Sequence, residues 1–202
     1  MSYTEDQVRE ILSPYHGMIS NVIADGFAEW RAVSDFRAAS GFAPQLYSRS
    51  VSNYVFDAIA RQARSRFALE RKVKVVDETQ TVKFIFDGSV IGRFKKANDD
   101  NLGRNIPTQA FLDFADPQQS LPGFPPHAAK VEFTWTVDDL GTSIDHVMVS
   151  ARDGDRLLWC YEIDDTGESS AGIFTLPIKP VDPDTDRPLV AVKRKPDALS
   201  GK

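Results

Sequence analysis

The sequence predicts an α+β fold in which N-terminal helices pack on a mainly antiparallel sheet of about six strands. Apolar residues recur at helical spacing up to about residue 70, and beyond it the period shortens to two. Aspartate-glycine pairs stand between the short strand-like segments, as hairpin turns require. Helices followed by runs of strands fit α+β better than a parallel α/β alternation. A chain of 202 residues, 42% hydrophobic and 26% charged, has an ordinary globular composition and can bury one core. One domain is expected over residues 1–174, with helices within 4–70 and strands within 72–96 and 131–163. A proline-rich tail follows over 175–202.

Thr4 and Gln7 have the spacing of a capping box and open the first helix. Val8, Ile11, Leu12, Tyr15, Ile19, Val22, Trp30 and Val33 continue its apolar stripe. Pro14 lacks an amide donor and should kink or split the helix near Ser13. Gly41 and Pro44 end the region, and a second helix should start near Ser48 or Ser50. Strands are expected at 72–77, 81–86 and 90–95, with Asp87-Gly88 as a hairpin turn, and again at 131–137, 144–150 and 157–163, with Asp153-Gly154 as a second. Between the two groups, residues 97–129 read as loop with a short helix from Pro107 to Phe114. By alternation the core candidates are Val73, Val75, Phe84, Phe86, Phe94, Phe133, Trp135, Val147, Val149 and Leu158; not all are expected to share one face. Pro177, Pro180, Pro183, Pro188 and Pro196 leave little room for regular structure, so the tail is expected to be mobile or to order on a partner.

Charge is unevenly distributed. Residues 1–48 carry three basic against six acidic groups, net −3, and residues 105–202 carry nine against sixteen, net −7. Residues 49–104 carry twelve against seven, net +5, and are where an anionic partner would be drawn. Within this stretch Arg93, Lys95, Lys96 and Arg104 are the candidate anion-binding residues, expected to lie together and exposed. Arg61, Arg64, Arg66, Arg71, Lys72 and Lys74 could extend the patch; alternatively the patch is a solvated face, or pairs with the acidic C-terminal half.

Other chemistry finds weak support. His16, His127, His146 and Cys160 are scattered without metal-ligand spacing, so neither a metal nor a cofactor is expected. Asp145-His146 invites a triad reading, but adjacent strand residues point to opposite faces, which should keep Asp145 from orienting His146. Glu70-Arg71-Lys72 has the acid-x-lysine spacing of a nuclease centre in the wrong chain order, and Gly88 to Gly92 lacks the lysine of a phosphate-binding loop. A lone cysteine, a polar N-terminus unlike a signal peptide and no membrane-length apolar run point to the cytoplasm and away from a membrane.

Phe84-Ile85-Phe86-Asp87, Arg93-Phe94-Lys95-Lys96, Asn105-Ile106-Pro107-Thr108-Gln109 and Leu121-Pro122-Gly123-Phe124-Pro125-Pro126 carry a resemblance over roughly residues 50–165. The chain resembles a family of small bacterial and phage proteins encoded beside a helix-turn-helix regulator fused to an ImmA/IrrE-type metallopeptidase-like domain. The resemblance implies the toxin- or effector-like half of a two-gene toxin–antitoxin or phage-defence module, with that regulator as protein partner. It transfers no catalytic residue. A nucleic-acid-binding protein or nuclease using the basic 49–104 region is the alternative.

Overall fold

The first helix begins where its capping box stands. Gln7 N donates to Thr4 Oγ1 at 3.4 Å, and Thr4 N donates to Gln7 Oε1 at 3.0 Å. The structure is a computed structural model that describes residues 3–163, apart from residues 46, 80 and 99; the expected boundary at 174 and the tail over 175–202 lie outside the described residues. Helix α1 (Glu5–Leu12) gives way at Pro14 to a 3₁₀ turn over Ser13–Tyr15, which leads into α2 (His16–Ala39). The end of α2 is closed by Phe42 N donating to Arg37 O and Gly41 N to Ala38 O. Helix α3 (Ser48–Phe67) returns antiparallel to α2, as the contacts Trp30–Tyr54, Glu29–Arg61 and Asp25–Arg66 show in succession.

Six strands follow: β1 (Val73–Glu78), β2 (Thr81–Phe86), β3 (Val90–Lys96), β4 (Ala129–Val137), β5 (Ile144–Asp153) and β6 (Arg156–Glu162). They lie in one sheet in chain order, antiparallel except for the central pair β3–β4, which is parallel. A parallel pair needs a long crossover. Residues 97–128 provide it, with α4 (Gln109–Ala115) inside. The short helix expected at 107–114 is therefore present, and Thr108 caps it by accepting from Phe111 N at 3.3 Å.

One face of the sheet packs on the helices. Phe84 and Phe86 on β2, Val90 and Phe94 on β3, Val131, Phe133 and Trp135 on β4, and Val147 and Val149 on β5 join Leu12, Ile19, Ile23, Ile59 and Phe67 in one apolar layer. Val73 and Val75 join from β1. The hairpin register makes this possible: Phe86 pairs with Val90 and Phe84 with Gly92, so the inward residues of both strands share a side. Leu158 is the exception and is corrected, being 39% exposed. Ala151 pairs with Trp159 and Arg152 with Leu157, which leaves Leu158 as the extra residue of a bulge, while Trp159 and Tyr161 turn to the helices.

Two glycines set this register. Asp87 (φ 48°) and Gly88 (φ 68°) are both left-handed, with Ser89 N donating to Phe86 O, the geometry of a tight hairpin turn. Gly92 lies beneath the Phe133 ring, and a Cβ there would meet Cε2 and Cζ at 2.4 Å. Gly92→Ala should therefore lower stability by about 1–3 kcal/mol through overpacking. Nothing lies within 4 Å of a Cβ at Gly88, so the loss expected for Gly88→Val is backbone strain, about 1 kcal/mol or more. Urea denaturation of both variants checks this, and midpoints equal to wild type would remove the argument.

Candidate functional site

The other face of the sheet lies under the crossover and is mixed: Ile85 and Ile91 pack on Phe114 and Leu121, and a set of charged side chains lies beside them. Alternation places Lys83, Arg93, Glu132 and Arg152 on it, and the crossover leaves them no more than 6% exposed. Glu132, at 0% exposure, sits opposite Arg93 across the parallel pair. Its Oε1 accepts from Arg93 Nη2 at 2.6 Å, Arg93 Nε at 3.2 Å and Asn105 Nδ2 at 3.3 Å. Its Oε2 accepts from Gly103 N at 2.9 Å and Arg152 Nη1 at 3.2 Å. Burial alone would raise the Glu132 pKa, but Arg93, Arg152 and the Gly103 amide outweigh it and hold the carboxyl below its ordinary range.

Helix α4 covers these arginines with aromatic rings. Arg93 Cζ lies 3.9 Å from the Phe114 centroid and Arg152 Cζ 4.8 Å from that of Phe111. Lys130 closes the C-terminal end of α4, its Nζ donating to the carbonyls of Asp113 (2.9 Å), Gln119 (2.8 Å) and Asp116.

The expectation that Arg93 is exposed with Lys95, Lys96 and Arg104 is thus corrected. Arg93 is 5% exposed and committed to Glu132, because its strand position faces the covered side. Of the other three, Lys96 is set against Arg104, while Lys95, two residues on from Arg93, lies on the Arg93 and Glu132 side of the strand. An isolated bridge, Ala97 to Gly103, folds the chain back at the end of β3, and Arg104 N donates to Lys96 O at 3.0 Å. Lys95 and Lys96 are half-buried and Arg104 is exposed. None of the three takes part in an ion pair among the described residues. Burial, and then the charge of Arg93, lowers the Lys95 pKa; burial, and then Arg104, lowers that of Lys96. Glu132 opposes the shift at Lys95, whereas Lys96 faces the charge of Arg104 with no acid set against it among the described residues, an arrangement that an arriving anion relieves.

Most of the helix-side cations differ. Arg61 pairs with Glu29 (2.7 Å), Arg64 with Asp77 (2.8 Å), Arg66 with Asp25, and Lys72 with Asp87 (3.3 Å). Their partners come from the first 87 residues, not from the C-terminal half as the paired-face reading supposed. Arg71 and Lys74 make no ion pair among the described residues and line an open cleft of about 530 Å³ opposite Gly123 and Pro125.

The Asp145–His146 reading is corrected in its geometry. His146 Nδ1 lies 2.6 Å from Glu162 Oε1, and Nε2 lies 3.2 Å from Asp145 Oδ2. Val137 pairs with Ile144 but Trp135 with Val147, so Asp145 and His146 together oppose Thr136 in a bulge, where strict alternation fails. Both ring nitrogens face carboxylates, which leaves neither to activate a serine. Among the described residues no group of three or more His, Cys, Asp or Glu is placed to hold a metal ion, and no helix is long and apolar enough to cross a membrane. Comparison with family models, curated proteins and solved structures returns no match.

Glu132 and Arg152 escaped the sequence reading. Val131-Glu132-Phe133-Thr134-Trp135 alternates like a strand with one wet face, and only the covering crossover makes the glutamate a buried one. Glu132→Ala should cost about 3–5 kcal/mol by leaving the buried Arg93 without its anion and Arg152 with only the exposed Asp155. Because the folded Glu132 pKa is lowered, its contribution is present above the unfolded value, about 4.3, and is lost as pH falls through the folded one. Denaturation midpoints measured down the acid limb should therefore fall more steeply for wild type than for Glu132→Gln. His146 has the opposite sign: Glu162, then Asp145, raises its pKa above 6.5, so any stabilisation is present at lower pH and is lost as pH rises through the folded value. An NMR titration should show a midpoint above 6.5 that drops in Glu162→Gln.

Proposed function

We propose that this chain is a binding protein, the effector- or toxin-like member of a two-gene module, that acts in the cytoplasm by docking a helix-turn-helix regulator. The observation that carries a binding role is the cationic end of β3, where Lys96 and Arg104 meet across a fold-back with no ion-pair partner among the described residues and Lys95 stands beside them in sequence. An acidic surface on the partner would supply the counter-charge and favour the charged lysines that burial opposes. The resemblance over residues 50–165 supports the identity of the partner, and the surrounding ion pairs support the choice of this surface over the helix face.

A second reading, nucleic-acid binding, is favoured by Arg71 and Lys74 in their open cleft, since two separate cationic positions suit a repeating anion. Lys95→Glu with Lys96→Glu should weaken partner binding at least about tenfold, or about 1.4 kcal/mol, with the fold intact. Calorimetric titration with the regulator measures it, beside a circular-dichroism melt. A folded double variant with undiminished affinity overturns this surface as the docking site. Binding to RNA or DNA with a steep salt slope, and none to the regulator, selects the second reading.

A further inference from the structure

Where β1 begins, the chain gathers cations around a cleft that two tight turns frame. Lys72, just before the strand, and Lys74 within it fall on one side by alternation, and Arg71 precedes them. Lys74 pairs in the ladder with Ile85, the buried residue of the lining. One wall is the Asp87-Gly88 turn. The other, Gly123 and Pro125, belongs to the Leu121-Pro122-Gly123-Phe124 turn. Phe124 N donates to Leu121 O at 3.1 Å there, and Gly123 has φ 80°, as a type II turn requires. Phe124 packs on the cluster of Ile85, Ile91, Phe114 and Leu121, which ties this wall to the sheet.

Charge in the cleft is one-sided. Arg71, Lys72 and Lys74 line it against the single carboxylate of Asp87, which Lys72 approaches at 3.3 Å. Arg71 and Lys74 are exposed and make no ion pair among the described residues. Glu70 precedes Arg71 but is not among the lining residues. The two glycines add backbone donors. Among the described residues nothing accepts a hydrogen bond from Gly88 N or Gly123 N. Nothing lies within 4 Å of a Cβ at either, so a ligand can approach bare main chain on both walls.

We propose, resting on the second of the two functional readings, that this cleft binds the phosphate group of an ester, either a free nucleotide or a nucleic-acid backbone. Phosphate suits the lining better than carboxylate does. It offers more acceptor oxygens, and a monoester carries close to two negative charges at neutral pH. The lining carries net +2 to meet them, three cations against Asp87. Arg71 presents a planar fork of donors and Lys74 a compact charge. Free turn amides complete such anion sites elsewhere. The volume of about 530 Å³ exceeds what a phosphate alone would fill, and sites for small organic ligands span about 300–1,000 Å³. Ile85 and Pro125 therefore have the organic part of the ester to cover.

Titration of the full chain with adenosine monophosphate, with adenosine and with a short single-stranded oligonucleotide tests this. In amide NMR spectra the signals of Gly88 and Gly123 should move with adenosine monophosphate and saturate. Adenosine, which lacks the phosphate, should bind at least about tenfold more weakly by calorimetry. Arg71→Ser with Lys74→Ser should raise the dissociation constant for the monophosphate at least about tenfold, with an unchanged circular-dichroism melt. Should that variant fold poorly, Lys74→Gln alone serves, with a smaller rise in the same direction. Adenosine bound as tightly as its monophosphate overturns the proposal. So does undiminished affinity in the folded variant, or no shift at either glycine with any phosphate-bearing ligand up to about 10 mM. An oligonucleotide bound elsewhere, with the cleft silent, overturns the site and leaves the nucleic-acid reading standing. The monophosphate held in the cleft, with no binding of the oligonucleotide, supports the site and removes that reading.

Discussion

Glu132 is a carboxylate without solvent contact that accepts five hydrogen bonds from two arginines, an asparagine and a backbone amide. It stands at the parallel β3–β4 pair, which joins the two three-stranded groups of the sheet. Parallel pairing forces the chain to return over the sheet before β4 can form. The first part of that return, from Gly103 to Asn105, is held down by Glu132, and its helical part by Lys130 and the rings over Arg93 and Arg152. A buried ion pair is not in itself a large source of stability. Here every member is satisfied, so the network favours one seating of the crossover over others that would leave a charge unpaired.

The two faces of the sheet consequently use different physics. The helix face is apolar and interdigitated, with Phe67, Phe84, Phe86, Phe94 and Phe133 in edge or tilted contacts at centroid distances of 5.1–5.6 Å. The crossover face adds charge and cation–π contact to a smaller apolar cluster of Ile85, Ile91, Phe114 and Leu121, so part of its geometry is directional where the other face is only close-packed. Lys95, Lys96 and Arg104 lie where that directional network ends. Glu132 is already engaged by Arg93 and Arg152, and the fold-back at Ala97 and Gly103 brings in a further cation without a further acid. The uncompensated charge of the candidate site thus follows from the way the crossover is anchored.

Local signals in the sequence determined much of the fold. The capping box at Thr4, the break at Pro14, the turn at Asp87-Gly88 and the period-two segments act over a few residues, so helices, strands and the inward residues from Val73 to Val149 were legible. The density of cations near the end of β3 was legible as well, and the fold-back there sets Arg104 against Lys96.

What only the tertiary structure decided are the facts that need two distant segments at once. Glu132 and Arg93 read as wet-face residues of separate strands, and the covering loop and their parallel pairing, 39 positions apart in the chain, make them a buried pair. Leu158 and the Asp145–His146 pair depart from alternation because bulges insert one residue against a partner strand, which a period of two cannot register. Whether a cation is paired or free was likewise beyond local pattern. Arg61 and Lys96 look alike in the chain, yet α2 presents Glu29 to one and the fold presents only Arg104 to the other. Charge compensation depends on distances between segments, and these exist only once the chain has packed.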